Sequence, residues 1–352
     1  MVNRDISTTP RLLLRYCAQV AALLAALVCA PALIMAASEP IIIDVLMGEP
    51  IPLEEMIEDL STVRIVYVGE FHTVARHHEA QAEILKRLKE KGLSLAIGME
   101  MFAESQQPIL DEWQQGPGGV DSLINELGRE HWTNLADYEP VLMLAKKSKI
   151  PIRGLNADDR IVKKVAREGM ESLSDAERRQ IPADVDQVNP LHERLLNIRL
   201  KVHKAFHEKA LHNIILAQAL RDATMAHAVD RFLKSPEARD RVMLVIAGTG
   251  HVSYGFGIPE RTEKLNGLPY RIVLLSESGE LVLSEKEKQL AAPITINHQD
   301  LKFIRAPIAD YLHILPLKTS GEPTESLPLA SSEWRVGCGK RIAPHRSRSS
   351  PE

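Results

Sequence analysis

Val63–Val68 (VRIVYV), running into Gly69-Glu70-Phe71-His72, and Arg241–Ala247 (RVMLVIA), running into Gly248-Thr249-Gly250-His251, decide the fold. Each is a short run rich in β-branched residues, as expected of a strand buried on both faces, and each ends in glycine and chemistry-bearing side chains. Arg76–Lys91 carries apolar residues at helical spacing (Ala80, Ile84, Leu85, Leu88) among charges. Leu93–Met99 (LSLAIGM) and Pro151–Leu155 read as two more strands, with helical patterns at Gln106–Gln114 and Val120–Arg129. Pro269–Ser276 and Glu280–Ser284 read as final strands around a Ser278-Gly279 turn. Strands separated by helices predict an α/β fold, a mostly parallel sheet flanked by helices.

Between the third strand and Arg241 lie about 80 residues without strand signal, far more than an ordinary crossover needs. From Asp158 to Lys234 the pattern is helical, broken at Gly169, Pro182 and Pro190. Residues 158–234 are therefore expected to form an inserted helical subdomain, and 38–157 with 235–300 the α/β domain. Residues 319–352, rich in Ser, Pro, Arg and Gly, are expected to be a disordered tail.

The amino end reads as an export signal. Arg4, Arg11 and Arg15 precede an apolar stretch, Ala18 to Ala37, interrupted by Pro31 and ending in small residues. A membrane anchor is the rival reading, since about 20 apolar residues span a bilayer. A lipid on Cys29 is a third, although Ala26-Leu27-Val28 lacks the small residue wanted just upstream. Cleavage near Ala37 is preferred, placing the protein in an exported compartment, periplasmic or membrane-associated. The segment 1–37 carries three arginines and one aspartate, so the remainder holds a net −6 against −4 for the whole chain. It also takes two of the three cysteines, leaving Cys338, which excludes an internal disulfide and a structural Cys/His zinc site. With 43 basic against 47 acidic residues and no basic stripe, no nucleic-acid partner is expected. Aromatic content of 4% means that the core must be aliphatic.

In a parallel α/β sheet the carboxyl ends of the strands face one crevice, where ligands bind. Four strand ends deliver Glu70 and His72, Glu100, Asn156, and His251 to that mouth. Alone, Glu70 or Glu100 reads equally well as a helix cap, and His72 as a turn residue. Together they point to function, because buried carboxylates need cationic or metal partners.

The segments VYVGEFHTVARHHEAQ, GMEMF (98–102) with Gln106-Gln107, AQALRDATMA (217–226) and AGTGHVSYGFGIPERTEKL (247–265) resemble the ChaN family of haem-binding proteins, within the haem-uptake/Tiki grouping. The resemblance spans about residues 60 to 275. It implies an α/β sheet domain with a smaller helical domain, an export or lipoprotein leader, and haem as ligand. It also implies a tyrosine iron ligand assisted by histidine, and a homodimer. Tyr254, three residues beyond His251 in a glycine-flanked loop, is the candidate ligand; a rim aromatic is its other reading. A phenolate is a hard anionic donor suited to ferric iron. Tyr16 belongs to the leader, Tyr67 and Tyr270 lie in strand patterns, Tyr138 is expected to pack on the sheet, and Tyr311 is left open. Met99, Met101, Phe102 and Phe256 are candidates for an apolar wall, and Arg76, His77 or Arg261 for the cations that meet the propionates.

The leading expectation is thus an exported, non-enzymatic haem-binding protein acting in haem or iron acquisition. The alternative is a metal-dependent hydrolase, similar to Tiki-type proteases or erythromycin esterase-like enzymes. It would use Glu70, His72, Glu100 and His251 around Mn, Co or Zn. A binding scaffold is a third reading, with nothing positive behind it. No G-x-S-x-G and no P-loop occur. His203 and His207 lie four apart, but without an adjacent Glu they read as a solvated helix face.

Overall fold

A computed structural model describes residues 40–128, 131–200, 208–277 and 297–315. The leader, the strand expected at Glu280–Ser284, His203, His207, Cys338 and the 319–352 tail lie outside the described residues.

In chain order the elements are β1 (Ile41–Asp44), β2 (Glu49–Ile51), α1 (Leu53–Leu60), β3 (Ile65–Glu70), α2 (Ala75–Glu90) and β4 (Ser94–Ala103). There follow α3 (Gln107–Gln115), α4 (Val120–Leu127), α5 (Glu139–Lys147), β5 (Ile152–Asn156), α6 (Asp159–Glu168) and α7 (Asp175–Arg178). The chain continues through α8 (Pro190–Leu200), α9 (Glu208–Lys234), β6 (Arg241–Gly248), α10 (Ile258–Asn266), β7 (Tyr270–Glu277), α11 (His298–Leu301) and β8 (Tyr311–Leu315). The eight strands form one sheet in the order β2-β1-β8-β7-β3-β6-β4-β5. From β8 to β5 every pairing is parallel, and β1 and β2 add an antiparallel edge. Between Asp158 and Lys234 the described residues form helices and turns without a strand, and 311–315 return to the sheet beyond the expected boundary at 300.

Strand alternation sorts the sheet's side chains into two aliphatic cores. Val66, Val68, Ile97, Met99, Leu244, Ile246 and Val273 pack under α1 to α5. Ile65, Tyr67, Ala96, Met243, Val245, Ile272 and Leu274 pack against α9 and α10. Both faces are covered, which is why β3 is buried at every position and carries no polar alternation. Burying one such aliphatic side chain contributes roughly 1.5–3 kcal/mol. Among the described residues no helix is long and apolar enough to cross a membrane.

The register of β4 against β5 shifts between Met99 and Ala103. A bulge of this kind bends a strand and re-aims its side chains, here around Glu100. The bulge depends on Gly154 in β5, where an added Cβ would come 2.6 Å from the Ala103 carbonyl oxygen and 3.2 Å from Phe102 Cβ. Gly154→Ala is accordingly expected to destabilise the fold by about 1–3 kcal/mol in chemical denaturation, the usual cost of overpacking. An unchanged midpoint would show that the bulge does not need this close approach.

Candidate functional site

The bulge and the strand ends bring together the four residues singled out at the crevice. Glu70, the last residue of β3, faces α2, whereas Glu100 in β4 faces α9. His72 joins the two faces across the carboxyl edge of the sheet: its Nδ1 donates to Glu70 Oε1 at 2.8 Å, and its Nε2 lies 3.6 Å from Glu100 Oε2. On the other side of Glu100, His251 Nε2 lies 3.2 Å from Oε1, and His251 Nδ1 contacts Asp222 Oδ1 at 2.5 Å. A continuous chain of alternating carboxylates and imidazoles, Glu70–His72–Glu100–His251–Asp222, therefore runs through the sheet edge. His72 is only 5% exposed and His251 1%.

Beyond the two bridging histidines, this burial is made tolerable by further donors around each carboxylate. Glu70 accepts from Gln81 Nε2 at 2.5 Å and from the Tyr138 hydroxyl, and His78 Nε2 lies 3.2 Å away. Glu100 accepts from the Gly248 N–H at 2.8 Å, and Arg221 Nη1 stands 3.8 Å off. Gln218 reaches His251 Nδ1 at 2.9 Å, and Asn156 Nδ2 donates to the Glu100 carbonyl at 2.9 Å. Burial alone would raise Glu70, but the His72 and His78 contacts outweigh it and hold it below the ordinary carboxylate range. Glu100 behaves alike: burial raises it, and the charges of His251 and His72 more than reverse that. Burial would lower His251, yet Glu100 and Asp222, one at each ring nitrogen, push it well above its ordinary value. Carboxylates at both ring nitrogens favour the imidazolium form of His251.

Tyr254 sits apart from this chain. Its backbone is left-handed at φ 62, a conformation that costs a non-glycine residue roughly 1–2 kcal/mol. Its half-buried side chain lines an open cavity of about 460 Å³ with Glu263, Pro269, Tyr270, Pro307 and Asp310. The loop between His251 and α10 closes tightly: a Cβ on Gly257 (φ 72) would come 2.4 Å from the His251 carbonyl oxygen. The anchoring of His251 thus fixes the loop that carries Tyr254.

The remaining candidates fall elsewhere. His77 is buried and accepts from the Phe71 N–H at 3.0 Å, and burial pushes it down to about 3, so it carries no charge for a propionate. Arg76 lines a different cavity, of about 270 Å³, with Leu53, Glu79, Glu83 and His313. Arg261 is spent on the carbonyls of Asp184, Val185 and Gln187 at 3.1, 3.4 and 3.1 Å. Met99, Met101 and Phe102 are core, pointing beneath α2 to α5, and Phe256 stacks on His192. Tyr311 donates to Asp59, which also holds Arg271, and is committed there. Among the described residues no group of three or more His, Cys, Asp or Glu is arranged to hold a metal ion.

The sequence reading missed Asp222, Gln218, Arg221, Gln81, His78 and the polar role of Tyr138. A usable signal was present: Gln218, Arg221 and Asp222 recur at i, i+3 and i+4 on the face of α9 that packs toward the sheet.

A family model described as "Haem-binding uptake, Tiki superfamily, ChaN" matches residues 56–262, which include the whole chain of contacts and Tyr254. Among solved structures, "Cofacial heme binding to ChaN of Campylobacter jejuni" is 21% identical with a TM-score of 0.53, covering 78% of this chain and 96% of that one. That likeness shows a shared fold. An erythromycin esterase mutant in its open conformation is 14% identical (TM-score 0.44; 77% and 95% covered). The type III effector HopBA1 is 13% identical (TM-score 0.42; 75% and 92% covered). Neither of these two is near enough to bear on function. No curated protein matches the chain.

The shifted groups give the site a signature in stability. His251, raised above its ordinary 6.5, contributes fully below about pH 6.5 and loses that contribution as the pH rises through its folded value. Glu70 and Glu100, lowered from 4.5, contribute above that pH and lose it as the pH falls. His77 and His313, pushed down to about 3 and about 4, withdraw their contributions from pH 6.5 downward. In urea denaturation, the stability gap between wild type and His251→Gln should be flat from about pH 5 to 6.5. Above that it should narrow by about 1.4 kcal/mol per pH unit. A gap that does not change up to about pH 9 would mean that His251 is neutral.

Proposed function

The chain belongs to the haem-binding uptake family, Tiki superfamily, ChaN, and from that membership we propose that it binds ferric haem with Tyr254 as the iron ligand. The observation that carries the reading is Tyr254 itself: a phenol held in a strained left-handed turn, at an open cavity, on a loop pinned by the buried His251. Strain of this sort persists where surrounding structure over-determines it, and it concentrates at functional positions. The donor set fits the iron rather than the propionates. Two phenols and two carboxylates line the cavity, and among the described residues its one cationic lining residue, Arg271, carries its guanidinium on the other face of the sheet in a pair with Asp59 at 2.6 and 3.0 Å. No described side chain of this lining would hold the propionates.

When bound, haem would supply a ferric Lewis-acid centre that exchanges one electron. Tyr254 would offer its oxygen to that centre, and the Glu70–His72–Glu100–His251–Asp222 chain would position the loop without touching the ligand. On this reading the protein is exported, on the evidence of the basic and then apolar order of residues 4–37, and serves haem or iron acquisition. A homodimer, and attachment to a membrane through residues 18–37 or a lipid on Cys29, belong to the same proposal. The hydrolase alternative has less behind it. Glu70, His72, Glu100 and His251 are all nearly inaccessible, and no described group is arranged around a metal.

Titration with hemin tests the proposal. Wild type should give a saturable Soret shift and a high-spin ferric charge-transfer band. Tyr254→Phe should lose that band and weaken binding by about tenfold or more, the loss of a ligand worth at least about 1.4 kcal/mol. No saturable shift with wild type, or stoichiometric Mn, Co or Zn in protein purified without chelators, would turn the assignment toward the hydrolase.

A further inference from the structure

We propose that β8 is an acid-released clasp: protonation of the buried His313 frees this strand from the sheet and, with it, the 306–310 wall of the cavity beside Tyr254. The device does not depend on which ligand that cavity takes. Alternation along β8 turns Tyr311, His313 and Leu315 to the face covered by α1 and α2. His313 is 2% exposed, and neither of its ring nitrogens has a hydrogen-bonding partner. A neutral ring bears that at a cost; a charged ring without an acceptor bears it far less well. The groups facing it offer no counter-charge. In the sheet it stands opposite Ile42 of β1 and Leu275 of β7. Pro40, Leu53, Ala80 and Leu315 line the same cavity of about 270 Å³. From α2 the cavity receives Arg76, itself a cation, the exposed Glu79, and Glu83, which accepts from Arg87 Nε at 2.5 Å. His77, also on α2, is buried and uncharged. Asp44 of β1 stands opposite Tyr311 rather than His313, and Asp59 of α1 is taken by Arg271 and Tyr311. Burial accordingly pushes His313 down to about 4.

The chain connects that ring to Tyr254. Directly before β8, Ala306, Pro307, Ala309 and Asp310 form one wall of the Tyr254 cavity. The Ile308 carbonyl accepts from the Tyr254 N–H at 2.7 Å. The Asp310 N–H donates to the Ile272 carbonyl at 3.0 Å, and the Ile272 N–H donates back to Asp310 Oδ2 at 2.7 Å. In the sheet order β8 joins β1 and β2 to the other strands, so its release opens one end of the sheet and leaves β7-β3-β6-β4-β5 paired. Parts of a fold open as units in this way at less cost than global unfolding. The direction follows from His313 lying below the 6.5 of a free imidazole. Its contribution to docking is full above about pH 6.5 and is withdrawn as the pH falls toward about 4. Glu70 and Glu100, held below the ordinary carboxylate range, keep their charge in that window, so the buried network at the strand ends stays closed.

Amide hydrogen exchange of the full chain between about pH 4.5 and 7, corrected for the pH dependence of intrinsic exchange, reads the opening of each segment. Opening of 306–315 and of the Tyr254 amide should grow as the pH falls, approaching about tenfold per pH unit below pH 6, while β3 and β6 stay protected. His313→Leu, which suits the apolar surroundings, should flatten that slope, and so should His313→Gln, which keeps a polar side chain that does not titrate. Burial also raises Asp310, so a slope that survives in both variants would belong to that carboxyl and overturn the inference. Opening of 306–315 that is independent of pH in wild type would overturn it as well, as would β3 and β6 opening in step with β8.

Discussion

Glu100 is the constraint on which the site depends. It is a carboxylate with almost no access to water, and an isolated charge in that position would be expelled or neutralised. It stays ionised because the Gly248 N–H and His251 meet it directly, with His72 and Arg221 at longer range. Each of those partners comes from a different part of the chain: the ends of β6 and β3, the turn after β6, and α9. Removing any one partner would strand a charge, so the four segments are held together cooperatively. Buried ionic networks of this kind contribute less to net stability than to fixing a single arrangement, and here the arrangement fixed is the loop from Gly248 to Gly257.

The sheet makes that network reachable. Parallel pairing aligns the carboxyl ends of β3, β4, β5 and β6 at one edge, so residues far apart in sequence end within hydrogen-bonding distance. Alternation then assigns Glu70 and Glu100 to opposite faces, each with its own layer of helices, and His72 joins them around the edge. The four side chains are buried at that edge, and an open cavity lies one loop further on, beside Tyr254 and Tyr270. The division is physically sensible. The charges that set geometry are kept dry, where they interact strongly, and Tyr254, the proposed ligand, borders an open cavity.

Much of this was legible in the sequence. The β-branched runs located β3, β5, β6 and β7 within a residue or two, because strands buried on both faces leave no ambiguity of period, whereas β4 runs four residues past its expected end at Met99. The convergence of Glu70, His72, Glu100 and His251 followed from the topology alone. What escaped had identifiable reasons. β1, β2 and β8 are short strands at one end of the sheet whose pairing is set by tertiary contact, and EPI or YLHIL carries little local preference. Asp222 and Gln218 sit mid-helix, where their spacing puts them on one face without saying that this face packs on the sheet. Met99, Met101 and Phe102 were expected at the crevice from their closeness to Glu100 in the chain, but the pleat and the bulge turn them into the opposite core. His77 was expected to be a cation, and burial makes it neutral.

The account turns on His251 being a charged imidazolium clamped between Glu100 and Asp222. Nitrogen-15 NMR of its side chain observes that state directly. The account predicts two protonated ring nitrogens at neutral pH, persisting well above the pH at which a free imidazole gives up its proton. A single protonated nitrogen at pH 7, with the other showing the shift of a bare lone pair, would contradict it.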